Sequence, residues 1–209
     1  MQGVLDTKSK ILQAAFKLFS NNGFEGTSMR EIAKHAEVNL SAINYHYQSK
    51  EKLCSEVLNK AGDDLREELK EIAENHPDLR FVDLVPEVYQ HMVSISDRFQ
   101  SCFRIISTGN LVLDLSSEAD GKVGGGPGAR YLMERLTKEV GEQIPFEDRC
   151  WVVNTVYCQM THLILLCNTS IAQMEYVKAQ FETENVKMRL RRLCSALLRE
   201  ISTPPEIVH

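Results

Sequence analysis

From Ile11 to Leu53 the chain reads ILQAAFKLFSNNGFEGTSMREIAKHAEVNLSAINYHYQSKEKL, and this stretch decides the fold. It opens on one amphipathic pattern: Ile11, Leu12, Ala15, Leu18 and Phe19 fall on one face at helical spacing over residues 8–20. Asn21-Asn22-Gly23 stops that helix, with Gly23 suited to a backbone of positive φ. Ser28-Met29-Arg30-Glu31 then has the form of a capping box, in which a hydroxyl accepts from the amide three residues on and a glutamate returns the bond. The second helix has to end before Val38, because Asn39 is a further N-cap and Leu40 to Tyr47 make a helix of about two turns. Ser49-Lys50-Glu51 opens a fourth, long helix that runs to about Asn75, where His76-Pro77 ends it.

Two short helices joined by a turn of a few residues form a helix-turn-helix, although the same spacing also occurs in small helical bundles. The third helix favours the first reading. Asn44, Tyr45 and His46 are polar or amphipathic, and burying them would leave several polar groups without evident partners. On a convex, exposed face they can reach phosphates and base edges.

The order and spacing of AAFKLF, NNGFEGTSMREIA and VNLSAINYHYQSKEKL resemble the N-terminal domain of TetR-family transcriptional regulators. The resemblance covers about residues 8–53. It implies an all-α protein: a three-helix, helix-turn-helix DNA-binding domain over residues 1–53, and a larger helical ligand-binding and dimerisation domain over residues 54–209. It implies DNA contacts from Ser28 and Arg30 at the start of the second helix, from Asn39, Ser41, Asn44, Tyr45 and His46 on the third, and from Lys50 at the start of the fourth. Ile43 and Tyr47 are the anchors that point inward. Asn44 stands where the family commonly has tyrosine, and Ala42 replaces a frequent threonine. Glu37 stands in the turn where the family has glycine. A positive φ there costs a non-glycine residue roughly 1–2 kcal/mol, so a slightly different turn is expected.

Charge agrees with this division. Residues 1–60 carry eight Lys/Arg against six Asp/Glu, whereas the whole chain has 24 against 29 and a net charge of −5. An anionic partner is thus expected at the N-terminal end alone, and a protein that coats nucleic acid with its whole surface is excluded. The start, MQGVLDTKSK, has no apolar core for a signal peptide, and the six cysteines include no CxxC pair. A cytoplasmic chain with reduced thiols is expected.

The remainder reads as helices over about 83–98 (Pro86 in the first turn), 101–107, 130–140, 146–168 and 176–201, with a glycine-rich loop over 114–129. From Cys150 to Met174 there is no Asp, Glu, Lys or Arg. A membrane-spanning helix needs ~20 mostly apolar residues, and Asn154, Thr155, Gln159, Thr161, His162 and Asn168 interrupt this one, so a buried or interface helix without a membrane is expected. In the TetR family the last two helices pair with their symmetry mates. The resemblance therefore implies a homodimer through the stripes Val153, Val156, Tyr157, Met160, Leu163, Ile164, Cys167 and Met188, Leu190, Leu193, Leu197, Leu198. It also implies a small-molecule inducer pocket, with Tyr89, Met92, Phe103, Trp151, Tyr157, Met160 and His162 as candidate lining.

The function expected is a DNA-binding regulator, most often a repressor in this family, released from a palindromic operator by a small-molecule inducer. It needs no cofactor, no metal and no catalytic residue. Three alternatives stay open. Cys158 and His162 stand at i, i+4 and suit a metal- or redox-responsive regulator. An enzyme with a helix-turn-helix-like start would need a nucleophile–base set or a metal box, and none is visible. A helical adaptor would use the same fold for protein contacts only.

Overall fold

The computed structural model describes residues 6–108 and 126–203. Every element among the described residues is a helix: α1 (Thr7–Asn22), α2 (Met29–Ala36), α3 (Leu40–Tyr47), α4 (Lys50–Asn75), α5 (Phe81–Ser94), α6 (Ser96–Thr108), α7 (Ala129–Val140), α8 (Phe146–Cys167), α9 (Ser170–Gln173), α10 (Glu175–Phe181) and α11 (Thr183–Ser202). The all-α class read from the sequence is the class observed. Of the glycine-rich loop expected over 114–129, residues 114–125 lie outside the described residues. Gly128 precedes α7 at φ 84°, a backbone that glycine adopts without steric penalty.

The chain divides into two compact units. The first takes the described residues up to Asp64 together with those of α6 from Asp97 onward. Its core joins Ile11, Ala15, Leu18 and Phe19 of α1, Ile32 and Ala33 of α2, Ile43 and Tyr47 of α3, Leu53, Cys54 and Val57 of α4, and Ile105 of α6. Local chemistry sets the helix starts. Asp6 caps α1 by accepting from the Ser9 amide at 2.7 Å. Ser49 Oγ accepts from the Lys52 amide at 3.2 Å in the first turn of α4.

The second unit takes Leu65–Ser96 and the described residues from 126 onward. There α5 and α11 pack on each other, and α8 packs on α5, α7 and α11. Val152, Val153, Val156, Tyr157, Met160, Leu163 and Ile164 of α8 are buried in this unit. Among the described residues, α8 is the one helix long and apolar enough, by length and composition, to cross a membrane. Its apolar side is occupied by neighbouring helices of its own chain.

Three differences from the sequence reading have physical causes. First, α5 begins at Phe81, so Pro86 lies in the second turn. The Glu139 carboxylate accepts from the Phe81 amide at 2.6 Å, satisfying from outside a donor that no residue nearby in sequence reaches. Second, the helix expected over 176–201 is broken between α10 and α11 at Glu182, whose φ −59° and ψ 128° are extended. Asn185 Nδ2 donates to the Ala179 carbonyl at 2.8 Å and Arg189 to that of Gln180, satisfying acceptors at the end of α10. Third, the stripe of α8 expected at a dimer interface faces the core of its own unit. Leu190 and Leu197 of α11 are likewise buried there.

Candidate nucleic-acid interface

The first unit presents α2 and α3 as a helix-turn-helix. The Ser28 hydroxyl accepts from the Glu31 amide at 3.2 Å, and the Glu31 carboxylate accepts from the Ser28 amide at 2.8 Å. Bonds from the hydroxyl and the amide of Ser28 hold the Glu31 carboxyl below its usual range. The capping box is thus formed, and it fixes where α2 begins. At the other end Glu37 adopts φ 55° and ψ 42°, and the Val38 amide reaches the Ala33 carbonyl at 3.0 Å. The glutamate therefore makes the left-handed turn itself, and the altered turn expected from its side chain does not occur. The Val38 bond closing on α2 compensates part of the steric cost.

Two residues later Asn39 Oδ1 accepts from the Ser41 amide at 3.1 Å and starts α3. Ile43 (0% exposed) and Tyr47 (5%) anchor α3 in the core. This orientation turns Ser41, Asn44, Tyr45 and His46 to solvent. Tyr45 is 83% exposed, and its ring meets that of His46 edge-on at 5.3 Å. Burial pushes the Tyr47 phenol up to about 12, and its hydroxyl has no hydrogen-bond partner among the described residues.

The structure thus brings Asn39, Ser41, Asn44, Tyr45 and His46 to one exposed helix, with Ser28 and Arg30 exposed on α2. Ser28 and Asn39 spend their side-chain oxygens on helix caps, which leaves Arg30, Ser41, Asn44, Tyr45 and His46 as the exposed side chains. Lys50 is partly buried, and its ammonium donates to the carbonyls of Phe24 (2.9 Å) and Thr27 (3.2 Å), two of its three donors. The sequence reading passed over Lys8 and Lys52. With His46 they rim a groove of about 430 Å³ between the start of α1, the end of α3 and the start of α4, whose lining also holds Glu51 and Glu56, and Lys8 is ion-paired with Glu56 at 2.8 Å. No local pattern joins these three positions, because their proximity arises from tertiary packing.

The residues expected around an inducer fall in both units and, on α8, on two faces. Tyr89, Met92, Tyr157 and Met160 are buried in the second unit. Trp151 (48% exposed) and His162 lie on the opposite, exposed face of α8. Phe103 belongs to the first unit and is 46% exposed. The Tyr157 hydroxyl donates to the Pro127 carbonyl at 3.1 Å. The Cys158 thiol is exposed, whereas burial pushes the thiols of Cys54 and Cys194 up to about 12. Among the described residues no group of three or more His, Cys, Asp or Glu is placed to hold a metal ion.

Comparison with known proteins agrees with this geometry. Residues 11–57 match the family of bacterial regulatory proteins, tetR family. Over 46 residues the chain is 50% identical to the probable HTH-type transcriptional regulator YttP of Bacillus subtilis (strain 168), covering 22% of each chain. Over 56 residues it is 43% identical to the HTH-type transcriptional regulator AcrR of Shigella flexneri, covering 27% of this chain and 26% of that protein. The matches span about a quarter of the length of these relatives. The fold likeness extends further. A TetR-family regulator of Streptomyces coelicolor A3 superimposes with a TM-score of 0.55 at 23% identity, covering 92% of this chain and 94% of the other. A TetR variant of Acinetobacter baumannii AYE in complex with minocycline gives 0.55 at 18% identity, covering 96% and 100%.

Proposed function

We propose the following for a chain that belongs to the TetR family, by the match over residues 11–57 and by its fold: it is a homodimeric transcriptional regulator that binds a palindromic DNA operator and is released by a small molecule. Residues 1–53 carry the DNA-reading helices, with the start of α4 and α6 completing their core, and the rest of residues 54–209 serve ligand binding and dimerisation in the cytoplasm. The observation that carries the reading is the orientation of α3. A helix anchored by Ile43 and Tyr47 presents Ser41, Asn44, Tyr45 and His46 together, all exposed. Tyr45 and His46 take phosphates, while Ser41 and Asn44, nearer the N-terminal part of the helix, meet base edges in the major groove. Arg30 adds a phosphate contact from α2, and the N-terminal amides behind Ser28 favour an anion.

The dimer forms through the outer faces of α8 and α11. The exposed side of α8 offers Trp151, Cys158, Gln159 and His162, and the sequence holds no formal charge from Cys150 to Met174. A face that pairs with its own copy meets its own charges across the twofold axis, so neutrality suits self-association. Twofold symmetry in turn suits paired half-sites about one helical turn apart. The inducer is an amphipathic small molecule held in the second unit near Tyr89, Met92, Tyr157 and Met160. It acts by favouring a dimer conformation whose reading heads no longer match the half-sites. The chain acts by binding and has no catalytic step.

Fluorescence anisotropy of the purified protein against genomic fragments from the region around its own gene tests the reading. Saturable binding with a retained preference over competitor DNA is expected. Equal affinity for all fragments, or none below micromolar protein, would overturn it.

A further inference from the structure

Between α8 and α11 runs an arm, the short helices α9 and α10, that the rest of the chain hardly covers. Ala172 is the one buried residue of α9, and α10 buries none. Ile171 (47%), Met174 (41%) and Tyr176 (79%) stand exposed, and the Tyr176 hydroxyl donates to the Met174 sulfur at 3.0 Å, which holds those two side chains together. The arm is tied to its neighbours at its ends. The Thr169 hydroxyl donates to the Leu166 carbonyl at 2.7 Å, and Asn185 Nδ2 donates to that of Ala179 at 2.8 Å. Helices this short are marginal in water unless an apolar face is packed, and a contiguous apolar patch marks a contact surface. The arm therefore calls for a surface from outside its own chain.

A second patch of the same character lies at the far end of α8. Phe146 and Trp151 are exposed there, beside the exposed acids Glu147 and Asp148. Between the two patches the middle of α8 presents Cys158 and Gln159 to solvent. Phe146 stands twelve residues before Cys158, and Ile171 stands twelve after Gln159. When α8 crosses an antiparallel copy of itself at Cys158 and Gln159, the arm of each subunit falls over Phe146 and Trp151 of the other, because both patches lie roughly 18 Å from the crossing at about 1.5 Å of rise per residue. A parallel pairing would set Glu147 and Asp148 against their own copies. The antiparallel one sets them against an arm that carries one base, Lys178, and one acid, Glu175. From Cys150 to Met174 no formal charge stands in the way of the contact.

We propose that the α9–α10 arm docks on the start of α8 of a second copy of this chain, with Ile171, Met174 and Tyr176 covering Phe146 and Trp151 of the partner subunit, and that α10 keeps its helical form through this contact. The proposal rests on the homodimer reading above, to which it adds the place where each arm lands and a segment that folds on assembly. The contact is made twice, once in each direction, as twofold symmetry requires.

Hydrogen exchange on the full chain tests it, read over residues 175–181 at concentrations above and below the dimer dissociation constant found by sedimentation. The α10 amides are expected to be protected in the dimer and to lose about ten-fold or more of that protection in the monomer, while those of α5 and α7 keep theirs. Trp151→Ala, at a concentration where it still dimerises, should produce the same loss in α10. A double-mutant cycle on the dissociation constant gives a second readout. Trp151→Ala and Met174→Ala should each weaken the dimer, and the double variant should fall short of the product of the two effects by several-fold, because both remove one contact. Within one chain these residues flank opposite ends of α8, so their coupling reports contact across the dimer. Equal α10 exchange in monomer and dimer, or protection that ignores Trp151, would overturn the proposal and leave the homodimer reading standing. A wild type monomeric at every concentration would overturn both. If Trp151→Ala does not fold, the concentration dependence of exchange in the wild type decides alone.

Discussion

Arg104 Nη1 on α6 donates to the carbonyl of Ser20 on α1 at 3.1 Å, across 84 positions of chain. Ser20 O is among the last four carbonyls of α1, which have no acceptor role within the helix, and a cation at that end also suits the helix dipole. Beside it Ile105 is fully buried in the core that α1 to α4 share. A helix far downstream in sequence is therefore a structural part of the first unit.

Ile105→Ala should accordingly destabilise the first unit by about 2–5 kcal/mol, the usual cost of truncating a buried isoleucine. Hydrogen exchange resolved by segment should show the loss in α1 and α2 amides. Loss confined to α5, α7 and α8 would contradict this placement of α6.

The exposed and buried sides of α3 predict opposite outcomes. The double variant Tyr45→Ala, His46→Ala should change stability by no more than about 0.5 kcal/mol, as exposed substitutions usually do, yet weaken operator binding strongly. Tyr47→Phe removes a buried hydroxyl without a partner, and should raise stability by about 1 kcal/mol. Thermal melts and anisotropy titrations on the same samples check both.

Glu37 occupies left-handed backbone at φ 55°. Glu37→Gly should relieve about 1 kcal/mol of steric cost and raise the melting temperature. Operator affinity should be retained, because the turn already has the shape glycine would give it.

The Glu31 carboxyl is held below its ordinary range by Ser28. A carboxyl whose folded pKa lies below its unfolded value contributes stability above the unfolded pKa, about 4.3, and loses it as pH falls through the folded one. Glu31→Gln should therefore flatten the decline of melting temperature below about pH 4.3, and leave the curve near neutrality parallel to the wild type. An identical acid limb in both proteins would show that the capping box does not form in solution.

Trp151 is the one tryptophan in the chain and is 48% exposed. If α8 pairs with its copy, diluting the protein through its dissociation range should shift Trp151 emission to longer wavelength. Trp151→Glu should yield folded monomers in sedimentation. Leu163→Glu, at a site 8% exposed within the subunit, should unfold the second unit instead.

The helix starts and the exposed face of α3 were legible in the amino-acid sequence because they rest on interactions spanning four residues or fewer. Ser28 with Glu31, Asn39 with Ser41, and the spacing of Ile43 and Tyr47 need nothing from elsewhere in the chain, and each is found as read. Such short-range bonds exist wherever the backbone is helical. Tertiary structure alone decided what depends on which distant groups come within reach. Periodicity shows that α8 has an apolar stripe but not whether its own chain or a second copy covers it; α5, α7 and α11 do so here. A start at Phe81 depends on Glu139, and the break at Glu182 on Asn185 and Arg189. That Lys50 donates to the Phe24 and Thr27 carbonyls depends on the loop between α1 and α2, which no local pattern reveals. A long charged side chain is satisfied by whichever acceptors packing brings near it, and that choice is made in three dimensions.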